Sequence, residues 1–435
     1  MLPYWINAAF FIVVLTLSLN IKFSGNDWKN LTDPYDYLWQ SKISITSPEF
    51  FFPHKVQGFD PRPFTVPLFY KLCSTNTDAI IQMQRVVFWL SSFFLISVLI
   101  SFLEKPSAKY FLIVSLYLLL SWWNILGWTI LVLSESLSAS LLFCWLASML
   151  QLYKKNDTKS LLLHVIITIL LSFTRDSWPY VLICFYAGMC LLWMLLKQKG
   201  IKKYLVLLFL SIGIFFIQQQ GTKVGLRYQL PVINNVVVRI LPTPAYTAWF
   251  VKQGMPDAEK LEQNFGKLDV VPEEGQHKLW ALYTDTAYAS FLTWVTQHGQ
   301  STYTRFMLTH PDYILMQHES KAQIARIMSH DLFYIDEPRG YSKYVSRFFP
   351  LFNTGVVTVL CIMLVMIYTK RKNPILSGPV LLALFTLVNA VLCYNADSLE
   401  VERHLYITNT LVQLIGFWAV ALIWDALVWR NSQQN

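Results

Sequence analysis

The chain has 435 residues, of which 54% are hydrophobic, 16% aromatic and 14% charged, with a formal net charge of +9. That charged share is little more than half of the roughly 25% found in soluble globular domains, which sets aside an ordinary water-soluble fold. The apolar residues also collect into several blocks long enough for a helix to cross about 30 Å of hydrocarbon, so a single soluble core is set aside as well.

Lipid offers no hydrogen-bond partner, so spanning segments are helices or strands of a closed barrel. The blocks run too long and alternate too little for barrel strands. In chain order they predict spans near 4–21, 84–103, 110–124, 128–150, 160–174, 178–196, 204–218, 350–368, 375–393 and 405–428. The first lacks a basic leader and a small-residue cleavage site, and reads as a retained anchor. The fold class expected is an all-α polytopic membrane protein of about ten transmembrane helices.

With the N-terminus inside, the cytoplasmic loops carry Lys105 and Lys109, then Lys154, Lys155 and Lys159, then Lys197, Lys199, Lys202 and Lys203, then Lys370, Arg371 and Lys372, and finally Arg430. The short outer loops carry almost none, which is the positive-inside pattern and puts both termini in the cytoplasm. Topology therefore accounts for the net positive charge, and nucleic acid is not an expected partner. The expected membrane is the plasma membrane in a bacterium and the endoplasmic reticulum in a eukaryote. Two outer segments are long, 22–83 and 219–349. The organisation expected is thus a seven-span module over 1–218, an extracytoplasmic, mainly helical cap over 219–349, and a three-span module over 350–435.

Ionisable groups at a membrane are costly and face a bundle interior or a wet cavity. Four clusters stand out in chain order, all on the predicted outer side. In the first, Asp33-Pro34-Tyr35-Asp36-Tyr37, Asp33 and Pro34 suit a helix start and Asp36 its first turn. A carboxylate fixed there is also placed to take a proton from an incoming hydroxyl. Arg62 follows in a proline-rich stretch from Asp60 to Leu68, where it can meet a phosphate. In the second cluster, Glu135 sits between serines early in the fourth span and needs a polar partner or a proton. The third contains Arg175 and Asp176; the arginine fork suits either a lipid phosphate or Glu135. The fourth, Asp397 to His404, includes Glu400, Arg403 and His404, either a solvated loop or a phosphate contact at the start of the last span.

Other signals are weaker. The six cysteines show no C-x-x-C spacing and read mainly as packing residues, with Cys73 and Cys393 on the same predicted face and able to bridge. His298, His310, His318 and His330 match no familiar metal spacing. Trp249, Trp280 and Trp294 in the cap suit either stacking on sugar rings or its own core. No Gly-rich phosphate loop, G-x-S-x-G or H-E-x-x-H occurs.

Together, Asp33 with Tyr37, the run from Arg62 to Leu68, Glu135, Arg175 and the long segment after the seventh span resemble the type C glycosyltransferase superfamily. These are polytopic enzymes that take a sugar from a polyprenyl-phosphate carrier. The resemblance covers residues 1–220 best; further on, Leu308 to Tyr313 and Glu400 to His404 resemble pieces of bacterial members. It implies inverting transfer on the extracytoplasmic face to a lipid, glycan or protein acceptor. Asp33, or Asp36 in its place, would be the base, and Arg62, Arg175 or Arg403 would bind the donor phosphate. Tyr37, Glu135, Asp176, Glu400 and His404 would be substrate-binding or structural polar residues. No cofactor is required and a divalent metal is optional. The competing reading is a flippase or transporter of lipid-linked sugars or small molecules, in which the same groups bind cargo without cleaving it.

Overall fold

The computed structural model describes residues 1–22, 33–56, 59–195, 201–266, 279, 282–283, 285–315, 338–346, 354–371, 374–396 and 401–431. Among these the regular elements are all helical; the one β contact is an isolated bridge between Val56 and Phe59. The chain divides into two compact units. One comprises Met1–Gly221, Leu332–Asn389 and Tyr406–Asn435, and the other Thr222–Asp331 and Ala390–Leu405.

The first unit contains α1 (Leu2–Leu19), α2 (Asp33–Lys42), α3 (Thr65–Leu72), α4 (Thr77–Ile100), α5 (Pro106–Ser121), α6 (Ser134–Lys155), α7 (Thr158–Ser172), α8 (Trp178–Leu195) and all but the last residues, from Thr222, of α9 (Ile201–Val224). Among the described residues six helices are long and apolar enough to cross a bilayer: Leu2–Leu19, Thr77–Ile100, Ser134–Lys155, Ile201–Val224, Ile375–Ala396 and Leu405–Leu427. Thr158–Ser172, Trp178–Met194 and Gly355–Tyr368 are shorter apolar helices. The protein is therefore an all-helical, polytopic membrane protein. The most apolar 18-residue stretch of α6 is 72% buried and that of α1 only 17%, so α6 runs through the middle of the unit and α1 along its edge.

Helix limits follow local chemistry. The sequence puts the second span at 84–103, but α4 begins at Thr77, because the Asn76 side chain accepts from the Ala79 amide at 3.0 Å and caps a polar first turn. The fourth span, expected from 128, begins as α6 only at Ser134. Before it the chain bends by 63° between Pro106–Ser121 and Trp123–Ile130, with Trp122 extended at the break. Irregular backbone at this depth persists only where protein satisfies its polar groups. Gln84 of α4 does so, donating to the carbonyls of Thr129 at 3.2 Å and Leu131 at 2.9 Å, while the Tyr70 hydroxyl donates to that of Leu133 at 3.1 Å.

Deeper in the bundle, His164 of α7 joins three helices. Its Nδ1 lies 2.7 Å from the Ser148 hydroxyl of α6 and its Nε2 2.8 Å from the Tyr186 hydroxyl of α8. Tyr186 also accepts from Trp145 Nε1 at 3.0 Å. All four residues are buried.

The second unit is a helical body with its own aromatic core, including Phe250 of α10 (Pro244–Lys252) and Phe306 of α11 (Gln300–Thr309). Trp249 packs on Phe306 and His310, and Trp294 stacks on Phe291, so both belong to that core; Trp280 lies outside the described residues. Residues 390–396 join this unit through backbone carbonyls. That of Tyr394 accepts from Arg239 at 2.6 Å and that of Asn395 from Tyr303 at 2.9 Å. After it, α12 (Thr354–Arg371), α13 (Gly378–Ala396) and α14 (Val401–Asn431) complete the chain. All six cysteines are free thiols, so Cys73 and Cys393 form no bridge.

Candidate functional site

The site is built on α2. Asp33, Asp36 and Gln40 recur at helical spacing along one side of it. Arg62 reaches this side from the segment ahead of α3. Its Nη2 lies 2.5 Å from Asp33 Oδ1 and 2.6 Å from Asp36 Oδ2, and its Nε lies 3.1 Å from the same Asp36 oxygen. The other Asp36 oxygen accepts from the Asp60 amide at 2.9 Å. Gln40 fixes the backbone of the arginine, accepting from the Arg62 amide at 2.9 Å while donating to the Phe50 carbonyl at 3.0 Å. One guanidinium therefore serves two carboxylates, and among the described residues its Nη1 has no partner.

Burial sets the electrostatics. Desolvation pushes the Asp36 carboxyl up to about 6, although Arg62 and the Asp60 amide act against it. Burial alone would lower the Arg62 guanidinium, but Asp33, Tyr37 and Asp36 raise it above its ordinary range, so it stays a cation. The Asp33 side chain is 19% exposed and that of Asp36 only 7%, so Asp33 is the more reachable carboxylate and Asp36 the one that holds the arginine. Tyr37 is buried beneath Arg62, its ring centroid 5.5 Å from the guanidinium carbon.

A second ion pair lies at the start of α6. Glu135 is fully buried, 3.9 Å from Arg175, and the Ser134 hydroxyl lies 3.4 Å from its Oε2. Arg175 is thus the basic neighbour that Glu135 requires. Asp176 turns elsewhere and accepts from Gln218 of α9 at 2.8 Å. Two routes connect this pair to the first cluster. The Thr65 amide, three positions beyond Arg62, donates to the Phe173 carbonyl at 3.2 Å, with Phe64 and Phe173 packed at 4.6 Å. Tyr37 meets Tyr70 edge-on at 6.0 Å, and Tyr70 bonds the Leu133 carbonyl beside Ser134.

Of the other expected residues, Arg403 is buried in the second unit. Glu400 and the side chain of His404 lie outside the described residues, as do His318 and His330. Among the described residues no group of three or more His, Cys, Asp or Glu side chains is placed to hold a metal ion. Gln40 is the contributor the sequence reading missed; its place four positions after Asp36 was the available signal. No protein-family model matches the chain, and no curated protein matches it.

Proposed function

We propose that the protein is a membrane glycosyltransferase that moves a sugar from a polyprenyl-phosphate carrier to a hydroxyl acceptor, with inversion, on the extracytoplasmic face. The observation that carries this reading is the cluster of Asp33, Asp36 and Arg62, which sets a reachable carboxylate beside a cation whose Nη1 has no partner among the described residues. In this reading ten helical segments cross the bilayer, both termini are cytoplasmic, and α2 lies at the outer surface, as the lysine bias requires.

The chemistry asks for a base and a cation. Asp33 takes the proton of the acceptor hydroxyl as its oxygen bonds to the anomeric carbon. The bond from that carbon to the phosphate oxygen breaks, and its electron pair leaves with the polyprenyl phosphate. The charge gathering there falls to Arg62 Nη1, with Arg175 as the second cation; aimed electrostatic stabilisation of this kind is usually the largest contribution to such catalysis. Asp36 and Gln40 keep Arg62 in place. Arg62 is neutralised by two carboxylates while the donor is absent, so the donor phosphate must draw it partly away from Asp33, which frees that carboxylate to act.

The deciding experiment reconstitutes the full chain in vesicles with polyprenyl-phosphate sugars and follows the lipid by mass spectrometry. The expected result is free polyprenyl phosphate with the sugar on an acceptor. A lipid-linked sugar that crosses the bilayer uncleaved would replace this proposal with transport.

A further inference from the structure

Both cations of the proposed mechanism are tied to α3. Arg62 stands three positions ahead of it, and the Thr65 amide at its start donates to the Phe173 carbonyl, two positions before Arg175, at 3.2 Å. Within α3 one side chain reaches toward both clusters. Tyr70 is fully buried, its ring meets Tyr37 edge-on at 6.0 Å, and Tyr37 lies beneath Arg62. The Tyr70 hydroxyl donates to the Leu133 carbonyl at 3.1 Å, with the Gln84 side-chain oxygen farther off at 3.5 Å.

That hydroxyl matters because of how α6 begins. A helix start is usually pinned by a Ser, Thr, Asp or Asn side chain that accepts from its first amides. The residue in that place on α6 is Leu133, held in an extended conformation, and leucine has no acceptor to offer. The start of α6 is therefore held from outside, by Tyr70 on the Leu133 carbonyl and by Gln84 on those of Thr129 and Leu131. Glu135 follows Leu133 by two positions, fully buried, and faces Arg175 at 3.9 Å. A shift of the α6 start carries with it the carboxylate that holds Arg175.

We propose that Tyr70 is a positioning residue for sugar transfer, which sets the separation of Arg62 and Arg175 so that both meet one phosphate group. Its ring braces Arg62 through Tyr37, and its hydroxyl braces Arg175 through the start of α6 and Glu135. This inference rests on the transferase reading and gives the reason a tyrosine stands here: phenylalanine would fill the same space and leave the Leu133 carbonyl without its outside donor. A cation displaced from the developing charge stabilises it less, so the loss falls on the transition state.

Steady-state transfer by Tyr70→Phe, with the full chain in vesicles containing a polyprenyl-phosphate sugar and rates taken per folded molecule, tests it. The kcat should fall about tenfold, short of the roughly 100-fold that follows a 1 Å misplacement, while the donor KM moves by less than about threefold. A hydroxyl that served stability alone would lower the unfolding temperature and leave kcat per folded molecule unchanged. In an Arg175→Lys background, where the guanidinium to be positioned is gone, the same change should cost only about twofold, the non-additivity expected of coupled groups. Tyr37→Leu breaks the brace at its other end and carries the test if Tyr70→Phe does not fold; its kcat should fall by about threefold or more. Unchanged kcat in either variant, or an equal loss from Tyr70→Phe with and without Arg175→Lys, would overturn the positioning role while transfer by the unaltered protein upholds the transferase reading. An unaltered protein that leaves the lipid-linked sugar uncleaved removes both.

Discussion

The first unit contains two buried polar clusters of opposite design. Around His164 the partners are uncharged: Ser148 and Tyr186 answer the two ring nitrogens, Trp145 donates to the Tyr186 hydroxyl, and the hydrogen bonds link α6, α7 and α8. Around Arg62 the groups are charged, two carboxylates share one cation, and among the described residues Nη1 is left over. A closed neutral network fixes the register of packed helices and offers nothing to a ligand. A charged cluster with one donor unspent, at a partly exposed helix start, carries the cost of desolvation without a matching gain in stability, the pattern expected where binding or proton transfer is the purpose.

Substitutions can break that contrast. The largest effect is expected from Arg62→Met, which leaves Asp36 buried without its cation. Sugar transfer should fall by about 100-fold or more, as for loss of one aimed donor at a developing anion. Thermal unfolding should register a loss of about 2–4 kcal/mol, below the roughly 3–5 kcal/mol of a fully buried pair, because the Arg62 side chain is 21% exposed. Tyr186→Phe should act in the opposite sense. It removes the oxygen shared by His164 and Trp145, at about 1–3 kcal/mol of stability, with transfer unchanged once the folded fraction is matched. If Tyr186→Phe impaired transfer in folded protein, the division between structural and chemical clusters would fail.

The pH dependence is smaller and sharpens the same comparison. Asp36 is raised from 3.8 to about 6, so the native state holds its proton more tightly than the unfolded chain does. Its contribution to stability is therefore full below about 4 and is lost as pH rises through about 6. Activity should run the other way, because protonation of Asp36 loosens its hold on Arg62. Transfer should decline below about pH 6, and an Asp36→Asn variant should lose that acid limb. Rate and unfolding measurements between pH 4 and 8, roughly the window around these values, would check both signs.

Much of this site was legible in the chain. Asp33 and Asp36 stand in the first turn of α2, and the need of Glu135 for a basic neighbour pointed to Arg175, which the ion pair bears out. Arg62 was legible as a cation near the acids but not as their shared partner, since residues 26 and 29 positions apart meet only through the fold. The turn after the third span was legible, since the expected spans stop at 124 and resume at 128, but the irregular stretch from Trp128 to Leu133 was hidden for a different reason. Its residues are nearly all apolar, so composition reads them as span, whereas their conformation depends on Gln84 and Tyr70 donating to the carbonyls of Thr129, Leu131 and Leu133. The start of α4 was missed because a capped polar turn adds helix without adding hydrophobicity.

The most direct test compares transfer from a polyprenyl-phosphate sugar by the unaltered protein and by Asp33→Asn, in equal amounts of folded, membrane-inserted chain. Loss of the general base should lower the rate by about 100-fold or more, with unfolding temperature nearly preserved because Asp36 still holds Arg62. Transfer at the unaltered rate by Asp33→Asn would contradict the account.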